Sequence, residues 1–183
     1  MKFIFLIFLF VALLSGCSQK SKPKMIQSSL KLEKDIYRFS EKMSNGDTIY
    51  LNASIGACLD QSMENNIITK ENDSVFIQSK IEGTPSATEA ISLPKTFYNW
   101  VKTDTLNFEN LFYSLRGNIT KPKKHIQNTF QVIYKKDTIE FVCKNLMDHL
   151  DKTAYYKQIK ERIYPATYQN LFRITYIAPN DRN

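Results

Sequence analysis

Three cysteines and two histidines are the residues of this 183-residue chain best suited to nucleophilic, redox or metal chemistry. Cys17, Cys58 and Cys143 are widely spaced and form no Cys-x-x-Cys pair, so spacing writes neither a redox motif nor a zinc knuckle. His149 lies in Asp148-His149-Leu150-Asp151. On a helix the two aspartates share a side and His149 turns away from both, which predicts a solvated polar face. Zinc would need several converging ligands, and His125 is the only other imidazole. The chain has no Gly-x-Ser-x-Gly elbow, and Gly16, Gly46, Gly56, Gly83 and Gly117 are too dispersed for a phosphate-cradling loop. Sequence proximity thus offers no clustered acid, base or nucleophile. The reading leans away from an enzyme and assigns no catalytic residue, metal or cofactor.

Four short runs share another chemistry: Asp47-Thr48, Asp73-Ser74, Asp104-Thr105 and Asp137-Thr138, each followed by alternating apolar residues. Asp with Thr or Ser hydrogen-bonds nearby backbone in turns, so each run predicts a turn that opens a strand. Calcium would require these carboxylates to converge on one ion, which their scatter does not suggest.

The N-terminus carries a different signal. Met1-Lys2 supplies a positive charge and Phe3 to Leu14 is an unbroken apolar run, shorter than the roughly 20 residues a spanning helix needs. This is the charged head and apolar middle of a secretory signal. Leu14-Ser15-Gly16-Cys17 then resembles the lipobox of bacterial lipoproteins. That resemblance implies removal of residues 1–16, a diacylglyceryl group on the Cys17 thiol and acylation of the new amine. Each buried methylene contributes about 0.8 kcal/mol, and two or three chains anchor stably where one binds reversibly. Residues 17–26 read as a polar, basic tether. In lipoprotein families an aspartate after the cysteine marks inner-membrane retention, and in Bacteroidota an acidic cluster marks surface export. Neither is present, which points to the outer membrane facing the periplasm rather than the cell surface or inner membrane. The strand-start pattern, few glycines and many Asn, Lys and Ile also resemble small Bacteroidota lipoproteins, a likeness that brings no activity or site residues.

Export makes a disulfide between Cys58 and Cys143 chemically accessible. Closing so long a loop is worth about 4 to 5 kcal/mol in the chain-entropy model. Two separate thiols remain the alternative, because Cys143 shares a face with Ile139 and Phe141 whereas Cys58 falls on the polar phase of its strand.

The elements follow from periodicity. Leu32, Ile36, Phe39 and Met43 predict a core-facing helix, capped by Ser28 or Ser29 and ended at Asn45-Gly46. Asp47 to Leu59 alternates as a strand. Ile67–Lys70 and Val75–Ile81 flank a hairpin turn, and Gly83 to Pro94 reads as a long loop. The aromatic segment from Phe97 through Trp100 to Phe112 and Leu115 predicts a helix in its second half, with a competing strand at Thr105–Phe108. A second hairpin spans Phe130–Tyr134 and Thr138–Cys143. Asn145 caps a helix carrying Leu146, Leu150, Ile159 and Ile163 to Pro165, with a slip near Asp151-Lys152 that allows two helices. Leu171 to Ile177 closes the chain as a strand. Residues 27–179 therefore predict one α+β domain, a mainly antiparallel sheet of about five to six strands with about three helices, and residues 180–183 a tail.

Charge separates the two halves of the chain. Residues 25–120 carry nine basic and twelve acidic side chains, whereas residues 121–183 carry twelve basic and six acidic. In an envelope such a basic excess would meet anionic lipid, lipopolysaccharide or an acidic protein. Nucleic acid is not an expected partner of an exported chain. Candidate binding residues are Lys152, Lys157, Lys160 and Arg162, and the aromatic Phe97 and Trp100. The expected function is a lipid-anchored, non-catalytic binding or assembly module of the bacterial cell envelope. The alternative is a lipoprotein inhibitor or immunity protein against a toxin or lytic enzyme.

Overall fold

A computed structural model describes residues 28–55, 62–83, 89–98, 103–120 and 129–168. The signal, the tether, Cys17, Cys58, Trp100, His125 and the expected strand at Leu171–Ile177 lie outside the described residues.

Alternating apolar residues build the centre of the fold. Strands β1 (Thr48–Ile55), β2 (Ser62–Glu71), β3 (Ser74–Glu82) and β4 (Ile91–Phe97) form a meander, and β6 (Phe130–Tyr134) with β7 (Asp137–Phe141) forms a hairpin on the other side of β1. The two-residue strand β5 (Ile119–Thr120) lies beyond β7, giving a seven-stranded sheet in the order β4-β3-β2-β1-β6-β7-β5. Every neighbouring pair is antiparallel, so the chain is α+β as the periodicity predicts.

Period two sends Ile49, Leu51, Ala53 and Ile55 of β1 to one buried face with Ile77, Ile81, Phe130, Val132 and Phe141. The opposite face presents Tyr50, Met63 and Ile67 to solvent. Asn72 and Asp73 take φ of 48° and 61° in the two-residue turn between β2 and β3. These are values Asn and Asp tolerate better than other side chains, and they match a hairpin's twist. Three of the four Asp runs lie at strand starts. Asp104 instead accepts from Leu106 N at 2.9 Å just before a helix.

The helices cover the buried face. The first helical segment contributes Leu32, Ile36, Phe39 and Met43 to the core, but it is broken into α1 (Leu32–Asp35), a 3-10 turn (Ile36–Arg38) and α2 (Phe39–Lys42). Neither serine caps it: Lys31 precedes α1 without a side-chain bond. Helix α3 (Phe108–Ser114) is capped by Asn107, whose side chain accepts from Asn110 N, so the competing strand at Thr105–Phe108 does not form. Asn145 caps α4 (Leu146–Ile163) as expected. No helix among the described residues is long and apolar enough to cross a membrane.

Three further expectations are corrected. The segment Gly83–Pro94 is not all loop, because β4 begins at Ile91. Pro94 is tolerated there since β4 is an edge strand, and a register shift sets Pro94 and Lys95 opposite the single residue Gln78. Helix α4 is continuous rather than two. Its core stripe is Thr153, Tyr156, Ile159 and Lys160, while Leu146 and Leu150 are exposed. The expected stripe joined apolar residues across the phase slip, and packing followed the half with the larger side chains.

Candidate functional site

A cleft forms where α2, the turn between β2 and β3, and the end of β4 meet. The break before α2 leaves the Ser40 N–H without a helical partner, and Glu109 of α3 supplies one. Its Oε1 accepts from Ser40 N at 3.3 Å and from Ser40 Oγ. Its Oε2 accepts from Tyr98 OH at 2.6 Å, and Tyr98 OH in turn accepts from Phe108 N at 3.0 Å. Both Glu109 and Tyr98 are buried. Burial raises the Glu109 pKa, opposed by the Ser40 and Tyr98 hydrogen bonds. Burial, with the neighbouring Glu109 carboxylate, pushes Tyr98 well above its ordinary value. The cluster ties Ser40 and Tyr98 to α3.

Ser40 and Tyr98 also line a cavity of about 190 Å³ with Glu41, Asp73, Ser74, Val75 and Phe97. Asn45 holds Asp73 in place, accepting from its N–H at 2.8 Å and donating to its Oδ1 at 3.2 Å. Lys70 Nζ donates to Ser40 O at 3.2 Å on the neighbouring backbone. Phe97 is 52% exposed and meets Phe76 edge-on at 5.9 Å.

A second polar cluster lies between α4 and the sheet. Glu64 and Asn66 of β2 and Ser79 of β3 occupy apolar-phase positions, facing Tyr156 and Lys160 of α4 and the following Tyr164 and Tyr168; all seven are buried. Lys160 Nζ donates to Asn66 Oδ1 at 2.7 Å, contacts Ser79 Oγ, and lies 3.4 Å from Glu64 Oε2. The Glu64 carboxylate also accepts from Tyr156 OH at 2.9 Å and Tyr168 OH at 2.6 Å. Asn66 Nδ2 donates to Leu51 O and to Tyr156 OH. Burial lowers Lys160 to about 8 against the pull of Glu64. Serine beside a lysine of depressed pKa is a pairing used for nucleophilic catalysis, but both side chains are sealed from solvent and a substrate carbonyl cannot reach them. The cluster's geometry suits holding the fold.

The sequence-derived candidates separate accordingly. Phe97 lines the cleft. Lys160 is corrected from surface to interior, because its phase on α4 points at the sheet and Glu64 compensates its charge. Arg162 is tied to the Asp104 carboxylate and to Leu106 O, and Lys152 and Lys157 are half-buried. The four basic residues therefore form no continuous free patch. His149 is partly buried with Nδ1 3.2 Å from Thr129 Oγ1, not on a fully solvated face. Cys143 is a free, half-buried thiol whose Sγ accepts from Thr129 Oγ1 at 3.2 Å. No group of three or more potential metal ligands occurs among the described residues.

Spacing could not reveal the Ser40–Glu109–Tyr98 triangle, whose members lie on α2, on α3 and just after β4. The inner cluster did leave a trace in the sequence, in polar Glu64, Asn66 and Ser79 at buried strand phases. No family model, curated protein or solved structure matches the chain.

Proposed function

We propose that this chain is a lipid-anchored, non-catalytic binding module of the bacterial cell envelope, held at the outer membrane facing the periplasm through lipid on Cys17. Its partner is another envelope protein, met through the aromatic segment that begins at Phe97. The observation that carries this reading is the cleft: a solvent-reached concavity that counts the exposed Phe97 among its lining residues. Ligand sites are typically such concavities, with apolar walls and a few placed polar groups. The anchor rests on the Lys2 charge, the Phe3–Leu14 run and the Leu-Ser-Gly-Cys17 motif.

Two experiments test it. Replacing Cys17 with Ala should release the protein from the membrane fraction, and unchanged retention would overturn the anchor. An affinity pull-down from envelope extract with the lipidated protein should capture a stoichiometric partner that is lost with Phe97→Ser. Capture of a single toxin or lytic enzyme would identify the chain as an inhibitor. Turnover of an envelope substrate by the purified protein, without any partner, would overturn the binding reading.

A further inference from the structure

We propose that the sheet face turned away from the helices is the interface through which two copies of this chain form a two-fold dimer. The proposal goes beyond the binding reading and needs neither the anchor nor the cleft. The helices cover one face, and among the described residues no helix packs on the other. An antiparallel sheet open to water on one side usually presents polar side chains there. On this face Tyr50 of β1 has Ile67 of β2 directly on one side and Ile133 of β6 on the other. Two residues along the strands, Phe76 of β3 lies opposite Phe97 of β4, with ring centroids 5.9 Å apart. Tyr50 is 45% exposed and Ile67 39%, so the centre of the face is apolar and wet. The next row is polar and joined across strands: Asn52 Nδ2 donates to Gln131 Oε1 at 3.0 Å, and Gln131 Nε2 donates to Glu140 Oε1 at 3.0 Å. An apolar centre rich in Tyr and Phe beside a hydrogen-bonded polar margin is the anatomy of a protein interface.

Charge and area point to a second copy as the occupant. The chain carries a formal net charge of +7 and repels its own copy over most approaches. The exposed charges at the margin of this face instead pair with one another, Lys80 with Glu82 at 2.7 Å and Lys95 with Glu71 at 2.6 Å. An anionic lipid surface or an acidic protein therefore gains little here, whereas an identical face meets no opposing charge. Edge-to-edge pairing is blocked, because β5 has only two residues and β4 carries Pro94, Lys95 and a register shift. The six longer strands, about 4.8 Å apart and paired over some 20 Å, give a face of roughly 600 Å². Two such faces together remove about 1,200 Å² from water, the lower end of what a stable, specific interface needs. Packing of one face on its own copy about a two-fold axis closes on itself and leaves no further face to recruit a third chain.

The test is sedimentation equilibrium of the full-length protein in mild detergent, at the solvent density that cancels the detergent's contribution. A reversible monomer–dimer equilibrium is expected. Ile67→Lys places like charges across the interface and should weaken association at least tenfold. Tyr50→Thr removes the central ring but keeps a strand-forming residue, and should weaken association as well. Leu150→Lys, at a position on α4 that is likewise 39% exposed, should leave it unchanged. All three positions are exposed, so far-UV circular dichroism should match the wild type. A monomer at every concentration, an open-ended series of oligomers, a dimer that withstands both Ile67→Lys and Tyr50→Thr, or equal weakening by Leu150→Lys would each overturn the proposal.

Discussion

Lys160 Nζ stands 3.4 Å from Glu64 Oε2 with neither side chain exposed, so an ion pair joins α4 to β2 through the core. Two phenols and an ammonium converge on that carboxylate, which offsets the cost of burying it. Removing one partner leaves the other charged and unpaired, a loss of about 3–5 kcal/mol. Urea unfolding of Lys160→Met should show a loss of this size, and Glu64→Gln with Lys160→Met should cost less than the two single changes added together. Strict additivity would mean that the pair is not coupled.

The same lysine sets a pH dependence. Its folded pKa is lowered from 10.5 to about 8, so between these values the unfolded chain binds more protons and stability rises with pH. Tyr156 and Tyr168 act oppositely: burial and the Glu64 carboxylate raise both above 10.0, so stability falls once unfolded tyrosines ionise. The difference in urea midpoint between wild type and Lys160→Met should grow in favour of wild type from pH 8 to pH 9.5. A flat difference would count against the lowered lysine.

Glu109 serves three donors, Ser40 N, Ser40 Oγ and Tyr98 OH. Glu109→Ala orphans them and should cost about 2–4 kcal/mol by urea unfolding at pH 7. Its raised pKa means that its linked stability is full below the ordinary carboxyl value near 4.5 and is lost as pH rises through the folded value. Glu109→Gln keeps an acceptor for Ser40 but sets an amide N–H against the Tyr98 hydroxyl, so it should cost less than Glu109→Ala, about 1–2 kcal/mol at pH 7.

The two apolar halves of α4 should respond differently. Leu150 is exposed and Ile159 is buried at 1%. Leu150→Lys should change stability by no more than about 0.5 kcal/mol, whereas Ile159→Ala should cost about 2–5 kcal/mol. Equal losses in thermal or urea melts would restore the stripe drawn through Leu146 and Leu150.

Cys143 has its thiol pKa raised, chiefly by burial. It should alkylate more slowly at pH 8 than a free peptide cysteine, and faster as pH passes 9. Intact-mass analysis without reductant should find the adduct on Cys143. An adduct seen only after reduction would show a Cys58–Cys143 bridge.

The α+β class, both hairpins, the Asn145 cap and the core phases of β1 and the first helical segment were legible along the chain. These are local properties: period two, period 3.6 and turn chemistry act over a few residues, and Ile49 to Ile55 are buried as their alternation demands. Tertiary contact alone decided the rest. Lys160 looks like any surface lysine of a basic helix until the fold sets Glu64, 96 positions earlier, opposite it. Ser40, Tyr98 and Glu109 become one unit only when α2, α3 and the residue that follows β4 converge. Pro94 and the phase of α4 likewise depend on which strand is an edge and which side chains fill the space above the sheet. A charge or a cap pairs across space with whatever the fold brings near, and no spacing along the chain encodes that distance.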